Sequence, residues 1–564
     1  MSAFVASIGV SSAQGPISGS IDAVDALSTG VYFPWVPNGE MLGESGPFHG
    51  DVTVQNLGSL MAGSTDLYFY VGVGSGSQAY DNPYVVANVQ AGASVTVSAA
   101  DLEIDSPGAS VHVVGVQPEV VALIAETEAT LAELQDQFED ATGLTRLFLG
   151  LAIAKHELML EFLYAVNPTL AGSVKTVADF PANSAQTQAA HETVDGYTGM
   201  NRFQVEPPLT DHHVLPIVQT NSGWRTELRL ASFADEKDPN PGTAYTVTLY
   251  AAGGQGAAGT SSGEFTGVIR GGEVVHIDIM DAPGIDEEWV GNAFITSNAP
   301  IGVVANRYKT ETNMLLNNVS RPVEQVNEVS LELTAADNHK AIAPLIFQNY
   351  NYWNTGISIA NTSNSPNTVT VSFFTPGGSQ VGSEQLTIPP RGMEYIYTPG
   401  TQDLGLNSGF VGAATITGTQ SLHAAVDQVK YFGGDPDVGD AMSYVTEPPM
   451  PTIGDLSWIG QQILFNDIDE LLNELGGSAD WDSLDLGMMG VPLVQKGNPN
   501  TGTGDTSGIQ LFNSLPATTT LAEVWFMDPT GNLVAPTLNV PISISLSGHQ
   551  GYTLYTHNYS EMPT

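Results

Sequence analysis

Cysteine is absent from the 564 residues, and cationic residues are scarce. Without cysteine, the chain forms no disulfide and has no thiol chemistry. Only 15 Lys and Arg residues stand against 60 Asp and Glu residues, which gives a formal net charge of −45. Because phosphate contacts require Lys or Arg, this charge argues against a nucleic-acid-binding protein. The mutual repulsion of the acidic surface also predicts that salt or divalent cations favour any assembly of the chain.

Long apolar stretches without charge are absent as well. The closest is residues 145–166, TRLFLGLAIAKHELMLEFLYAV, which carries Arg146, Lys155, Glu157 and Glu161. Since a membrane span needs about 20 predominantly apolar residues, this stretch predicts a buried helix. The chain is therefore not expected to span a membrane.

The sequence also lacks a recognisable catalytic motif. It has no GxSxG elbow, no phosphate-binding loop and no convincing triad, and KHELMLEF at 155–162 does not have the HExxH spacing of zinc proteases. These absences predict a protein that is not an enzyme and that needs no cofactor, with Ca²⁺ as the one ligand left open.

Three loops cluster hard oxygen ligands of the kind that Ca²⁺ prefers. They are DEKDPN at 235–240, DPDVGD at 435–440 and DWDSLD at 480–485, and none has the spacing of an EF-hand. Plain solvated turns stay open as the alternative. The candidate ligands are Asp235, Asp238, Asp435, Asp437, Asp440, Asp480, Asp482 and Asp485.

Glycine, proline and short runs of Val, Ile, Thr and Tyr are abundant, which is typical of an all-β protein with helical insertions. One pattern occurs four times. LPIVQTNSGWRTELRLAS at 215–232 matches APLIFQNYNYWNTGISIAN at 343–361, so that Trp224 falls on Trp353. FPWVPNG followed by GDVTVQN near the start, and VPLVQKG followed by SGIQLFN near the end, are two further repeats.

Each repeat continues with an alternating strand, a turn and two more strands. The first three then close with a pair of strands, at 109–125, 288–308 and 409–429. About seven short strands in roughly 75–100 residues, with turns every 8–12 residues, are typical of an immunoglobulin-like β-sandwich. The predicted fold is therefore a row of tandem sandwiches.

Residues 1–24 match the closing pair of the third repeat. Phe4 falls on Phe410, and the remaining apolar positions follow in step. The fourth repeat has no such pair before residue 564. We expect residues 1–25 to be donor strands for the last domain of a neighbouring subunit, through an interface made by Phe4, Ile8, Val10, Ile17, Ile21 and Val24.

Three interpretations of these two segments stay open. In the first, the hairpin of one molecule completes the last domain of the next by strand complementation, which produces a head-to-tail polymer. In the second, the hairpin folds back onto its own fourth repeat and closes a ring. In the third, the chain is a segment of a longer repeat protein.

The predicted domain plan follows from the repeats and the helical patterns between them. It comprises the hairpin at 1–25, sandwich 1 at 31–125, a helical insertion at 126–205, sandwich 2 at 210–320, sandwich 3 at 340–432, a helical linker at 450–486 and an incomplete sandwich 4 at 490–564.

In architecture and composition, most of the chain resembles the immunoglobulin-like sandwiches of bacterial and archaeal cell-surface proteins, including S-layer and adhesin-like chains. The resemblance implies a non-enzymatic structural subunit of an extracellular filament, sheath or S-layer, whose partners are copies of itself. The alternatives are a virion or tail structural protein, and a segment of a longer adhesin or carbohydrate-binding protein. A carbohydrate site would require exposed aromatic side chains, for which Trp224, Trp353, Trp481 and Trp525 are the candidates.

Overall fold

The structure is a computed structural model, and it describes most of the chain with gaps. The described residues are 30–43, 45–58, 64–72, 83–105, 107–165, 169–180, 191–198, 210–232, 242–253, 260–270, 273–309, 314–323, 339–401, 404–431, 439–445, 494, 496–498, 505–535 and 541–559. The predicted hairpin at 1–25 and the predicted linker at 450–486 lie outside them.

The first two-sheet unit, unit 1, covers residues 31–198. Its elements are β1 (Val31–Leu42), β2 (Ser45–Gly58), β3 (Ser64–Gly72), β4 (Tyr84–Gln90), β5 (Ser94–Ser98), β6 (Gly108–Val116), α1 (Pro118–Asp140), α2 (Gly143–Ala165), β7 (Thr169–Phe180) and β8 (His191–Thr198). The strands pair in the orders β4-β3-β6-β1 and β5-β2-β7-β8, and the end of β1 also pairs with β2.

Unit 2 covers residues 210–322. Its strands are β9 (Thr210–Gln219), β10 (Trp224–Ser232), β11 (Thr243–Ala251), β12 (Ser261–Ile269), β13 (Val274–Asp278), β14 (Val290–Lys309), β15 (Met314–Val319) and β16 (Arg321–Pro322). The long β14 belongs to both sheets. Its first half pairs with β9 and β11, whereas its second half pairs with β10 and β15.

Unit 3 covers residues 340–445. Its strands are β17 (Lys340–Gln348), β18 (Trp353–Asn361), β19 (Asn367–Phe374), β20 (Gln380–Ile388), β21 (Met393–Tyr397), β22 (Phe410–Gly418), β23 (Leu422–Tyr431) and β24 (Gly439–Val445). They pair in the orders β17-β22-β19-β20 and β21-β18-β23-β24.

Unit 4 covers the described residues from 494 onward. Its strands are β25 (Lys496–Asn498), β26 (Asp505–Thr506), β27 (Gly508–Phe512), β28 (Thr520–Val524), β29 (Phe526–Met527), β30 (Leu533–Ala535), β31 (Ile542–Leu546) and β32 (Gly551–Tyr555). They form antiparallel pairs, β25 with β26, β27 with β32, β28 with β31 and β29 with β30.

The all-β prediction is confirmed, since the described strands form antiparallel sheets and, within the described residues, the helices are α1 and α2 apart from short 3-10 turns. Alternation along each strand puts one face of each sheet into a shared core. In unit 3 this core joins Ile357 and Ile359 of one sheet to Val371 and Ile416 of the other, and all four side chains are fully buried.

Units 1, 2 and 3 share one strand order. The two halves of β14 count as the sixth and seventh strands of unit 2. In each unit the first strand pairs with the sixth and the second with the seventh, and an eighth strand flanks the seventh. The immunoglobulin constant-type fold instead places its first strand beside its second. The units therefore have two antiparallel sheets around one core, with a different strand order.

The helical insertion differs from the prediction of 126–205. The helices span 118–165 and connect β6 to β7. The corresponding strands of unit 3, β22 and β23, are separated only by residues 419–421. Residues 169–180 and 191–198 are strands of unit 1, because β7 pairs with β2 and β8 pairs with β7. The prediction that sandwich 1 and its closing pair end at residue 125 is wrong for the same reason.

The stretch at 145–166 is only partly the buried helix that its composition predicts. The base of the helix pair is buried through Leu123, Met159 and Leu163. Its far end is exposed, since Phe148 is 65% and Leu151 is 61% accessible. Within the described residues, no helix is both long enough and apolar enough to cross a membrane.

Candidate functional site

The chain turns in the same way after β18 of unit 3 and after β27 of unit 4, at a corner held by an asparagine side chain. The Asn361 amide donates hydrogen bonds to the carbonyls of Ser365, Ile388 and Pro389. In unit 4, the Asn513 amide donates to the carbonyls of Thr518, Leu546 and Ser547, at 2.7–3.1 Å. These matching bonds make β27 the counterpart of β18 and confirm the sequence alignment at this position.

A second matching contact identifies β32 as the unit 4 counterpart of β21. The Thr398 backbone N–H, after β21, donates to the Thr355 carbonyl at 2.9 Å. The Thr556 backbone N–H, after β32, donates to the Ser507 carbonyl at 3.1 Å. The pair β27–β32 therefore corresponds to β18–β21, and the register of β28 with β31 likewise corresponds to that of β19 with β20.

The two units differ at the centre of their sheets. In unit 3, β22 lies between β17 and β19, and β23 lies between β18 and β24. Among the described residues of unit 4, no strand corresponds to β22 or β23, so the pairs β27–β32 and β28–β31 each stand as two strands. In unit 3, β23 pairs with one edge of β18, and β22 pairs with one edge of β19. The corresponding edges of β27 and β28 have no such partner among the described residues.

The core side chains of unit 4 are correspondingly less buried than those of unit 3. Ile357 and Ile359 are fully buried in unit 3, whereas their counterparts Ile509 and Leu511 are partly exposed. Val371 is fully buried, and its counterpart Val524 is partly exposed. The side chains that β29, β31 and β32 contribute to the core of unit 4 are buried, namely Phe526, Ile544, Leu546 and Leu554. The described part of unit 4 is thus an apolar half-core, open where the central strands lie in unit 3.

The chemistry of this opening suits a pair of β-strands. These edges of β27 and β28, which no described strand covers, present backbone N–H and C=O groups, which form a template for another strand. The half-exposed apolar side chains between them provide pockets for alternate side chains of that strand. We call the edges of β27 and β28, with Ile509, Leu511 and Val524, the open cleft.

Unit 4 is held against unit 3 by backbone and aromatic contacts. The Gly551 N–H donates to the Pro376 carbonyl at 3.1 Å. His549 stacks on Phe374, with ring centroids 4.2 Å apart, and partial burial lowers the pKa of His549. These contacts fix β32 and the turn before it, so the position of the open cleft depends on unit 3.

The residues predicted to fill such a cleft are Phe4, Ile8, Val10, Ile17, Ile21 and Val24, and all of them lie outside the described residues. Their counterparts lie in β22 and β23 of unit 3. Ala414, Ile416, Leu422 and Val426 are at most 2% exposed and belong to one core cluster. The apolar pattern at 1–24 is thus the pattern of two core strands.

Seven of the eight predicted Ca²⁺ ligands also lie outside the described residues, namely Asp235, Asp238, Asp435, Asp437, Asp480, Asp482 and Asp485. Asp440 is in β24, where its backbone is opposite Lys430. In the described part of the chain, no group of three or more His, Asp or Glu side chains is placed to hold a metal ion.

The tryptophans proposed for a carbohydrate site have different environments. Trp224 is buried among Met314, Leu316 and Val429, where units 2 and 3 meet. Trp353 is partly exposed with the Lys430 ammonium 5.7 Å from its ring, and Trp525 is 47% exposed. Trp481 lies outside the described residues. Trp224 is therefore a packing residue.

Comparison with known proteins gives little further information. No protein-family model matches the sequence, and no curated protein matches it. The crystal structure of Thermotoga maritima 1070 is similar to part of the chain, with 12% identity over 19% of this chain and 91% of that chain and a TM-score of 0.16. A likeness this weak carries no argument about fold or function.

Proposed function

We propose that the chain is a structural subunit that assembles head to tail, with residues 1–24 of one molecule completing unit 4 of the next. The observation that carries the proposal is the open cleft, which has two strand edges that no strand in the described part of the chain covers, and a half-exposed apolar interior. Residues 1–24 have the apolar pattern of the two strands that occupy the same place in unit 3.

The register of the complex follows from unit 3. There, Val371 is opposite Ile416 and Ile357 is opposite Val426. The same pairing places Val10 opposite Val524 and Ile21 opposite Ile509. Five buried apolar side chains of the hairpin would contribute about 7–15 kcal/mol gross, which is large against the ~5–15 kcal/mol net stability of a typical domain.

A contact formed by different surfaces on the two partners leaves one complementary surface free at each end of the assembly, so it generates filaments, tubes or sheets wherever the rotation between subunits does not close a ring. The proposal extends to the setting that the sequence suggests, an extracellular filament, sheath or S-layer built from variant immunoglobulin-like sandwiches. Many cell-surface domains share the sandwich architecture with altered strand order, and the strongly acidic composition suits an exposed polymer.

Closure within one molecule is the second candidate. It is favoured by one contact, because the turn at Gly531 in unit 4 lies against Ala91 and Ala93 of unit 1, where a Cβ on Gly531 would be 2.8 Å from the Ala91 carbonyl oxygen. The fourth unit thus returns to the first. The same hairpin and the same cleft would then form a closed monomer.

Disulfide trapping separates these possibilities, because the chain has no cysteine of its own. In the predicted register, Ser11 is opposite Glu523, as Thr417 is opposite Thr370 in unit 3. We expect a mixture of Ser11→Cys chains and Glu523→Cys chains to form disulfide-linked pairs of molecules under mild oxidation, measured by non-reducing electrophoresis.

Ser545→Cys is the matched control, since Ser545 is an exposed residue of β31, one strand further from the cleft. Mixed with Ser11→Cys, it should not be linked, because a disulfide needs Cα atoms within about 7 Å. A Ser11→Cys, Glu523→Cys chain that is linked only within itself would replace the head-to-tail model by closure. No linkage in either experiment would disprove completion of unit 4 by the hairpin.

A further inference from the structure

The turn between β17 and β18 of unit 3 has the backbone of its counterpart in unit 2 but different side chains. Asn351 and Tyr352 have φ values of 49° and 70°. At the same positions before the tryptophan of unit 2, Ser222 and Gly223 have φ values of 54° and 78°. These values lie in the left-handed region, which glycine occupies without strain and bulky residues rarely adopt. Unit 3 therefore has a tyrosine where unit 2 has a glycine.

This tyrosine contributes little to the packing of unit 3. The side chain of Tyr352 is 65% exposed. Tyr350, which replaces Asn221 of unit 2, is 41% exposed. A bulky residue in the left-handed region costs conformational energy, and such residues cluster at binding sites. An exposed aromatic ring on a strained residue thus indicates a role outside the stability of the unit.

Hydrogen bonds hold the turn in this conformation. The Tyr350 N–H donates to the Trp353 carbonyl at 3.1 Å, and the Trp353 N–H donates to the Tyr350 carbonyl at 2.8 Å. The side-chain oxygen of the buried Asn354 accepts a hydrogen bond from the Asn349 N–H at 2.8 Å. The turn is therefore preorganised, so that a ligand would not have to order it on binding.

A buried ring supports the exposed ones. Phe347 is buried and stacks on Tyr350, with ring centroids 5.6 Å apart and planes inclined by 10°. The ring of Phe347 is also 6.3 Å from that of the partly exposed Trp353. We call the side chains of Tyr350, Tyr352 and Trp353 the aromatic turn.

Exposed amide side chains flank the aromatic turn. Asn349 and Asn351 belong to the turn itself, and both are exposed. Asn407 is exposed in the neighbouring loop, which is joined to the end of β17 because the Gln348 amide donates to the Leu406 carbonyl at 3.0 Å. Each amide offers both hydrogen-bond donors and acceptors.

The charge of the chain favours a neutral ligand at this place. The chain has 60 Asp and Glu residues, yet none occurs between Asp337 and Glu384, the stretch that contains the turn. A cationic partner would find no carboxylate on this stretch, and the net charge of −45 repels an anionic one.

We infer that the aromatic turn binds a neutral glycan, with a pyranose ring stacked on its exposed rings. One face of a pyranose presents C–H groups, which suit the face of an aromatic ring, and its hydroxyls suit the flanking amides. A lipid surface would instead favour an unbroken apolar patch, which these amides interrupt. The site is distinct from the open cleft and goes beyond the proposed function.

Calorimetric titration of the full chain tests the inference, with cellohexaose, laminarihexaose, mannohexaose, maltohexaose and chitohexaose as the probes. We expect at least one of them to bind. Tyr352→Gly restores the residue of unit 2 and should weaken that binding about tenfold or more, because a stacked ring is lost. Its melting temperature should not fall, since glycine relieves the strained φ. If it does fall, Tyr350→Asn, the other unit 2 residue, decides with the same tenfold effect expected.

Tyr395→Thr is the matched control. Tyr395 is an exposed tyrosine of the same unit, in β21 opposite Ser358. Ser358 is five residues beyond Trp353 on β18, about 16 Å along the strand. This variant should bind the glycan as tightly as the parent chain.

The other outcomes overturn the inference. These are no binding of any hexasaccharide by the parent chain, or equal binding by the parent, Tyr352→Gly and Tyr350→Asn chains. Decaproline is the contrasting probe, because proline-rich peptides also dock on aromatic rings. Binding of decaproline alone that depends on Tyr352 would assign the turn to a peptide instead. Linkage of Ser11→Cys to Glu523→Cys chains should be unaffected by Tyr352→Gly, so the proposed function is tested separately.

Discussion

At the scale of single residues, His112 shows how burial sets the properties of a side chain. It lies in β6 and stacks on Tyr32, with ring centroids 4.0 Å apart. Its side chain is 3% exposed, and burial lowers its pKa to about 3. The folded protein therefore keeps this imidazole neutral at pH values where a histidine of the unfolded chain is protonated.

The lowered pKa of His112 makes the folded protein less stable as pH falls. Below about pH 6.5 the unfolded chain takes up a proton that the folded chain does not, so the free energy of unfolding falls as pH falls toward 3. From His112 alone we expect a loss of about 2 kcal/mol between pH 7 and pH 5, measured as the difference in urea unfolding of unit 1 between the parent and His112→Phe.

The exposed His557 provides the control, and His557→Phe should keep the pH dependence of the parent chain. An identical pH dependence in the parent and His112→Phe would contradict the assignment.

At the scale of elements, the corner asparagines join strands that are distant in sequence. Asn513 satisfies the carbonyl oxygens of Thr518, after β27, and of Leu546 and Ser547, at the end of β31, and it is 5% exposed. Buried carbonyls that lose such a donor cost about 1–3 kcal/mol. The corner thus holds the edge of the open cleft.

Asn513→Ala should therefore loosen unit 4 without affecting units 1 to 3. We expect faster amide hydrogen exchange in β31 and β32, by a factor of about 5–150 for that loss of free energy, measured by mass spectrometry. Asn558→Ala removes an exposed asparagine and serves as the control. Unchanged exchange in β31 and β32 would mean that the corner contributes no stability.

At the scale of the whole molecule, ion pairs between units fix the path of the chain. Arg307 of unit 2 is fully buried, and its guanidinium donates to both carboxylate oxygens of Asp427 in unit 3 and to Asn318. Around this pair the eighth strands meet, since β15 lies against both β8 and β24. Such contacts make units 1 to 3 one packed body.

Breaking this pair should be costly because it leaves a buried charge without a partner. We expect Arg307→Met to destabilise units 2 and 3 by about 3–5 kcal/mol, measured as a lower midpoint of urea unfolding. The exposed pair of Arg225 with Glu287, at 3.4 Å, is the control. Arg225→Met should cost under about 1 kcal/mol, and equal effects of the two variants would contradict a structural role for the buried pair.

Much of the fold could be predicted because it depends on local patterns. Alternation of apolar residues indicated strands such as β19 and β28, and the repeated segments at 215–232 and 343–361, with GDVTVQN and SGIQLFN, aligned the units. The place of the helix pair could not be predicted in this way. Its helical period is local, but the return of the chain to β2 through β7 is a pairing between residues more than one hundred positions apart.

The candidate site also combines features that depend on local sequence with features that depend on tertiary structure. The sequence by itself determined the composition, the repeats and the likeness of residues 1–24 to two core strands, because each depends on residues close together in the chain. Only the tertiary structure decided which edges of β27 and β28 no described strand covers, and that unit 4 lies against unit 1 at Gly531. Hydrogen-bond partners and burial depend on segments from other units, and no local period records them.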